Sequence, residues 1–323
     1  MITCLISGIG GDAGLGALKA ARSSQVPLRV VGSCISRLSA GLYECDAYRI
    51  APPSNSDEYE EFLIRTIRDE SVDVFIPTVD SETLRISHLR SVIEEKTNCK
   101  VYVGSPRQVA ICEDKLKTAD FLKQYGMSYA RSRAADADNV RLWLEEIGYP
   151  VICKPRVGKG SKGVRLIRSW DEAQLMEDLA DLMFQEYLDP EEGEYTSGFY
   201  TTRDGRVMAN CTMKRVLQNG RTVAATRVLD SELVSELLAI AGEMRLPYIN
   251  IQSMKCRGRL IPFEFNARLS GTTSIVCSVF NPVEMFIREY LLGEELENIV
   301  GSKRFTVLRR STDIFLDPID DLF

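Results

Sequence analysis

The chain has a single histidine among 323 residues, and that scarcity excludes much chemistry. Ser-His-Asp and Cys-His machinery would both need His88, and a histidine-rich metal centre would lack ligands. His88 falls in the helical stretch RISHLRSVIEE, where a packing or surface role is the expectation. The nine cysteines form no C-x-x-C pair, so neither a zinc knuckle nor a disulfide framework is indicated, and a reducing cytoplasm is expected. Apolar runs stop well short of the roughly 20 residues of a membrane span, so no membrane association is expected. The start MITCLISGIGG lacks a basic segment, so no signal peptide is expected. Excess positive charge is missing too: 40 basic against 46 acidic residues leave a net charge of −6, which argues against a nucleic-acid partner. Chemistry must therefore rest on Lys, Arg, Asp, Glu, Asn and backbone N–H groups, a set suited to phosphoryl transfer.

What is present reads first as alternating strand and helix. ITCLISGIGG predicts a buried strand entering a glycine turn, DAGLGALKAARSS a helix, LRVVGSC a second strand, VDVFIPTV a third and KVYVGS a fourth. A helix is expected near DEYEEFLIRTIRDES. This order implies a doubly wound parallel sheet, an α/β fold with ligands near the strand C-termini. From about Pro106, ICEDKLKTADFLKQYG reads as one helix, PVICKPRVGKGSKGVRLI as strand–loop–strand, and SWDEAQLMEDLADLM as an amphipathic helix. Beyond MFQEYL the pattern becomes evenly spaced strands with turns at Asp204-Gly205, Asn219-Gly220 and Arg257-Gly258, an α+β half containing one helix, SELVSELLAIAGEM.

Chemistry concentrates in three places. Lys154 ends a strand before a loop punctuated by Gly158, Gly160 and Gly163 and charged by Arg156, Lys159 and Lys162, which suits phosphate oxygens. The loop returns to a strand, whereas Walker A and dinucleotide-binding loops lead into helices, so it reads as a flap. Near the C-terminus, Glu264, Asn266 and Arg268 alternate on one strand face with Gln252 on the paired strand, a hard-oxygen set that suits Mg²⁺. The glycines Gly8, Gly10, Gly11, Gly14 and Gly16 resemble a dinucleotide fingerprint. The second strand ends Gly32-Ser33-Cys34 without the expected acid, however, so a turn holding the anionic end of a substrate is the better expectation.

Together Lys115, Lys154, the GKGSKG flap, the QEYLDPEEGEY segment and the FEFNAR strand resemble the ATP-grasp superfamily, in particular single-unit proteins like the carbamoyl-phosphate synthase large chain. The resemblance implies a preATP-grasp domain over 1–105, a small lid with the glycine flap over 106–184, and a C-terminal domain with the metal site over 185–323. It implies that Lys115, Lys154, Gly160, Ser161 and Gly163 meet the phosphates of ATP, Glu186, Tyr187 and Leu188 the adenine edge, and Glu194 the ribose. Gln252, Glu264 and Asn266 would be ligands of Mg²⁺, with Mn²⁺ as an alternative, and Arg268 and Arg215 would stand with Lys154 at the transferred phosphoryl. Gln252 stands where many relatives carry an acid, so one metal ion is implied more firmly than two. A single unit argues against carbamoyl phosphate synthesis from glutamine. The implied activity is ADP-forming ligation of a small-molecule carboxylate to an amine, and a homodimer is expected from the resemblance alone. An ATP-binding sensor without chemistry and an NAD(P)-dependent oxidoreductase are the alternatives. Asp80, Ser81 and Glu82 are expected either at the substrate rim or as helix-capping residues, and the tail RSTDIFLDPIDDLF could pack on a neighbour.

Overall fold

A computed structural model describes residues 1–158, 162–299 and 301–316. Gly160 and Ser161 of the flap, and the end of the tail from residue 317, lie outside the described residues. The described residues build three sheets, each from a continuous stretch of sequence.

The first sheet is parallel throughout, in the order β3-β2-β1-β4-β5, with β1 at Ile2–Ile6, β2 at Leu28–Cys34, β3 at Ala47–Ile50, β4 at Val74–Ile76 and β5 at Lys100–Val101. Its helices are α1 (Asp12–Arg22), α2 (Tyr59–Asp69) and α3 (Asp80–Thr97). The doubly wound expectation therefore holds. The edge strand β3 was not anticipated, because its residues are mostly exposed and carry no apolar alternation.

Two helices follow, α4 (Pro106–Glu113) and α5 (Lys115–Gln124), where one helix over 111–126 was expected. Ser105 and Gln108 form a reciprocal capping box that starts α4 earlier, at Pro106. Asp114 then leaves helical geometry and its carboxylate accepts from the Leu116 N–H at 2.9 Å, which caps α5 and splits the run.

The second sheet is antiparallel, in the order β6-β9-β7-β8, from β6 (Ser132–Ala134), β7 (Val151–Pro155), β8 (Arg165–Ile167) and β9 (Leu182–Glu186). It is covered by α6 (Val140–Ile147) and the single-turn α7 (Trp170–Gln174). The long amphipathic helix expected over 169–183 is thus confined to Trp170–Gln174. Asp178 adopts a left-handed φ of 53°, and Leu182 and Met183 are used as strand residues paired to β7, so tertiary pairing overrides the local helical pattern.

The third sheet has six strands in the order β14-β13-β10-β11-β12-β15. They are β10 (Glu194–Thr201), β11 (Val207–Gln218), β12 (Arg221–Val228), β13 (Tyr248–Cys256), β14 (Arg259–Asn266) and β15 (Thr306–Leu308). Asn219 and Gly220 have φ of 50° and 74°, and Arg257 and Gly258 have 51° and 77°, the paired positive values that match a tight hairpin to strand twist. Helix α8 (Ser231–Met244) starts where Asp230 accepts from the Glu232 and Leu233 N–H groups, and α9 (Thr273–Val276) and α10 (Pro282–Tyr290) follow the last hairpin.

Burial explains how these parts are joined. One apolar cluster runs from Leu5, Phe75 and Val101 of the first sheet to Phe199, Ile251 and Phe265 of the third. A second joins Cys4, Ile6 and Ile76 to Tyr200, Met213 and Phe286. Sheets one and three are therefore welded through shared cores, whereas the second sheet keeps a small core of its own around Leu144, Val151, Ile167 and Phe184. No helix among the described residues is long and apolar enough to cross a membrane.

Candidate active site between the second and third sheets

A cavity of about 330 Å³ opens between β7 and β9 on one side and β10, β11, β13 and β14 on the other. Nine of the expected site residues line it: Lys115, Lys154, Glu186, Tyr187, Leu188, Glu194, Arg215, Gln252 and Glu264. They come from widely separated stretches of sequence, and only the facing of the two sheets brings them together.

Lys154 is buried at the next-to-last position of β7 and donates to Gln185 Oε1 at 2.8 Å, and Gln185 in turn donates to Ser132 Oγ at 2.9 Å. The ammonium also lies 5.7 Å from the centre of the Phe263 ring. Burial pulls its pKa down to about 8; Glu264 opposes the shift and Lys115 adds to it. A cation held this way, desolvated and fixed by an amide, is pre-organised for an anion entering the cavity. Lys115 is also buried; its Nζ donates to the Gly158 carbonyl at 2.7 Å, tying the start of α5 to the first residues of the flap. Arg156 and Asp114 reinforce that junction with a 2.6 Å ion pair. Gly163, with φ of 75°, sits over Pro155 and does not line the cavity; a Cβ there would approach the proline ring to 3.0 Å.

On the opposite wall, Glu194 and Arg215 are register partners on β10 and β11 and form an ion pair, and Arg215 Nη2 also donates to Gln252 Oε1 at 2.7 Å. Gln252 stands opposite Glu264, and Asn250 opposite Asn266, in the β13–β14 ladder, so the expected face is formed. Gln252 Nε2 and Asn266 Nδ2 each lie 3.4 Å from the same Glu264 oxygen, long for hydrogen bonds. Their oxygens accept from arginines, Gln252 Oε1 from Arg215 and Asn266 Oδ1 from Arg268 at 3.3 Å, so both amides and the carboxylate stand around one spot. One carboxylate and two amides therefore converge, and no group of three His, Cys, Asp or Glu exists among the described residues to compete for a cation. That donor set fits a single Mg²⁺ whose remaining positions are filled by water and phosphate.

Asn266 and Arg268 do not line the nucleotide-sized cavity but two cavities that adjoin it at Glu264. Asp80 is the first residue of α3, one past the N-cap position that Val79 holds, and its carboxylate grips Arg268 from the first sheet's side. Ser81 faces the larger adjoining cavity, of about 710 Å³, and so does His88, which the sequence assigned to packing or the surface. Glu82 is not at a rim. It is fully buried between Ser7, whose hydroxyl donates at 2.5 Å, and Tyr59, and burial pushes its pKa up to about 6.

Sequence reasoning missed Gln185, Phe263 and the apolar walls Ile152, Met254 and Leu217. Period-2 alternation offered a signal for some of them, since Ile152 precedes Lys154 by two on β7 and Met254 follows Gln252 by two on β13. Phe263 carried none. A bulge beside Gln252 shifts the ladder so that Ser253 pairs with Pro262, and neighbouring Phe263 and Glu264 both reach the cavity.

Residues 112–233 match the ATP-grasp domain family, which takes in Lys115, Lys154, the flap, the Glu186–Leu188 edge, Glu194 and Arg215. Residues 112–233 are thus an ATP-grasp domain. The ATP-grasp fold extends beyond the matched segment. A solved N5-carboxyaminoimidazole synthetase from Staphylococcus aureus, complexed with ADP, superposes with a TM-score of 0.73 over 92% of this chain and 79% of its own, at 15% identity. Among curated proteins, the chain is 23% identical over 107 residues to carbamoyl-phosphate synthase of Methanobrevibacter smithii, covering 32% of this chain and 29% of that one. It is 24% identical over 253 residues to phosphoribosylamine–glycine ligase of Fusobacterium nucleatum, covering 78% of this chain and 50% of that one. The chain thus spans half or less of the length of these curated relatives.

Proposed function

We propose that this ATP-grasp protein is an ATP-dependent, ADP-forming ligase that joins a carboxylate to an amine through an acyl phosphate. One observation carries the reading: Lys154 and Glu264, on different sheets, face each other across a single cavity. In this reading residues 1–105 form the preATP-grasp unit, 106–184 the lid and 185–323 the unit bearing the metal residues, with the lid's last strand running on to Glu186.

The apolar walls Ile152, Met254 and Phe263 suit a flat base, and the Glu186–Leu188 backbone its polar edge. Lys154 and Lys115 offer fixed positive charge to the phosphates. Glu264, Asn266 and Gln252 would hold Mg²⁺, which when bound neutralises phosphate charge. A carboxylate oxygen of the acid attacks the γ-phosphorus, the bond to the β-bridging oxygen breaks, and ADP leaves with the electron pair. Arg215 and Arg268 offset the charge on the acyl phosphate that forms. A neutral amine then attacks the acyl carbon; phosphate leaves with the C–O electron pair and the amine's proton passes to solvent or phosphate. The second sheet's separate core lets the lid close over the reacting groups and exclude water.

The test is release of ADP and phosphate by the full chain with MgATP and acids and amines supplied in pairs. Turnover that needs both substrates, and that Lys154→Met and Glu264→Ala each lower by about 10²-fold or more, is expected. Full turnover in both variants, or tight ATP binding with no turnover across the screen, would overturn the ligase reading.

A further inference from the structure

A third cavity, of about 320 Å³, adjoins the residues around Glu264 on the side of the glycine turn. Its walls are the Gly8–Ala13 turn, the start of α3, the start of β12, the Ser270–Thr272 loop and Arg309, one residue past β15. Four arginines reach it, and three already have carboxylates. Arg215 pairs with Glu194, Arg268 with Asp80, and Arg221 with Asp12 at 3.0 Å. Arg309 is different. Its backbone N–H donates to the Val223 carbonyl at 2.9 Å, yet among the described residues its half-buried guanidinium has neither an ion-pair nor a hydrogen-bond partner.

We propose that this cavity binds the acid substrate and that Arg309 holds a second anionic group on it, a carboxylate or a phosphate, remote from the carboxylate that reacts. The proposal rests on the ligase reading, which makes Glu264, Asn266 and Arg268, all on this cavity's wall, the place where the acid is phosphorylated. An acid with an apolar tail would close over Arg309 and the hydroxyls of Thr222, Ser270 and Thr272 and leave the desolvated guanidinium unpaired. A second anion satisfies it, and the site then discriminates by leaving the wrong substrate's partner groups unpaired. Among the described residues, the larger neighbouring cavity offers an anion no comparable cation. There Arg85 donates to the Ser54 and Ser56 carbonyls and Lys115 to the Gly158 carbonyl, while Leu84, Val109 and Phe265 supply apolar wall. The glycine turn assigned in the sequence to an anionic substrate end therefore faces the cavity that holds the unpartnered arginine.

The test titrates the full chain, with MgADP present, with succinate, glutarate and 3-phosphoglycerate against butyrate and valerate. Calorimetry and thermal shift are the readouts. One dianionic class should bind more tightly than the monoanions, and the dicarboxylate and phosphate arms say which. Arg309→Ala should weaken that dianion roughly 10- to 100-fold, Arg309→Lys should recover part of the loss, and MgADP affinity should not move. The assignment is overturned if Arg309→Ala binds the dianion as wild type does. It is equally overturned if dianions and monoanions bind alike, or if no dianion binds while MgADP does. Failure of wild type to bind MgADP counts against the ligase reading instead; the acids are then titrated without nucleotide and Arg309 is judged by the same criteria.

Discussion

Asp80 takes Arg268 by both of its carboxylate oxygens, across 188 residues of sequence, with Arg268 Nη2 at 2.8 Å from Asp80 Oδ2. The pair fastens the first helical residue after β4 to the residue two positions beyond β14, so the arginine beside Glu264 and Asn266 is oriented from another sheet. A bidentate arginine–carboxylate pair fixes direction as well as distance.

Asp80→Asn removes that clamp without enlarging the site. Turnover should fall about tenfold while KM for ATP stays unchanged, because Asp80 does not line the nucleotide cavity. Steady-state kinetics with each substrate varied would check it, and an equal rise in KM for ATP would place the effect elsewhere.

If Lys154 holds the nucleotide phosphates as proposed, nucleotide binding should depend on pH. Its pKa in the free protein is pulled down to about 8, so it is charged below that pH and neutral above it. Phosphate oxygens favour the charged form, and binding must therefore take up a proton at higher pH. MgATP affinity should weaken by about tenfold per unit above pH 8, and calorimetry in buffers of different ionisation heat should reveal proton uptake. In Lys154→Met the affinity should be lower and flat over the same range.

Glu82 gives a second pH signature, in stability. Its pKa rises from 4.5 unfolded to about 6 folded, so the native state holds the proton more tightly. The stabilising contribution is fully present below pH 4.5 and is lost as pH rises through 6, a change of about 2 kcal/mol. Glu82→Gln cannot ionise. Its stability relative to wild type should therefore improve by about that amount between pH 4.5 and 7, as read from urea melts at the two pH values.

Gly16 tests the weld between the first and third sheets. A Cβ there would stand 2.5 Å from the Ser270 carbonyl oxygen, a backbone atom that has no side chain to swing aside. Gly16→Ala should cost about 1–3 kcal/mol by overpacking, despite alanine's better helix propensity. A melting temperature at or above wild type would show that the contact yields.

The parallel first sheet, the hairpins and the chemistry-bearing residues were legible because each is a local pattern. Buried strands read as apolar runs, tight turns as Asn-Gly and Arg-Gly, and the Gln252, Glu264 and Asn266 set as period-2 spacing across a hairpin. Asp114 split a helix that periodicity ran together, since a cap depends on one side chain's hydrogen bond. The segment after Gln174 left its helical pattern because β7 needed a partner strand.

Residue types and spacing by themselves determined which groups this protein has that suit phosphate, since that chemistry is a property of side chains. Their convergence was decided only in three dimensions. Lys154 meets Glu264 and Asp80 meets Arg268 because sheets formed from separate stretches pack face to face, and Glu82 disappears under Tyr59 where α2 packs beside α3. Among the described residues the same packing left Arg309 without a counter-charge, and no local pattern in the sequence marks which of many arginines will end in that position.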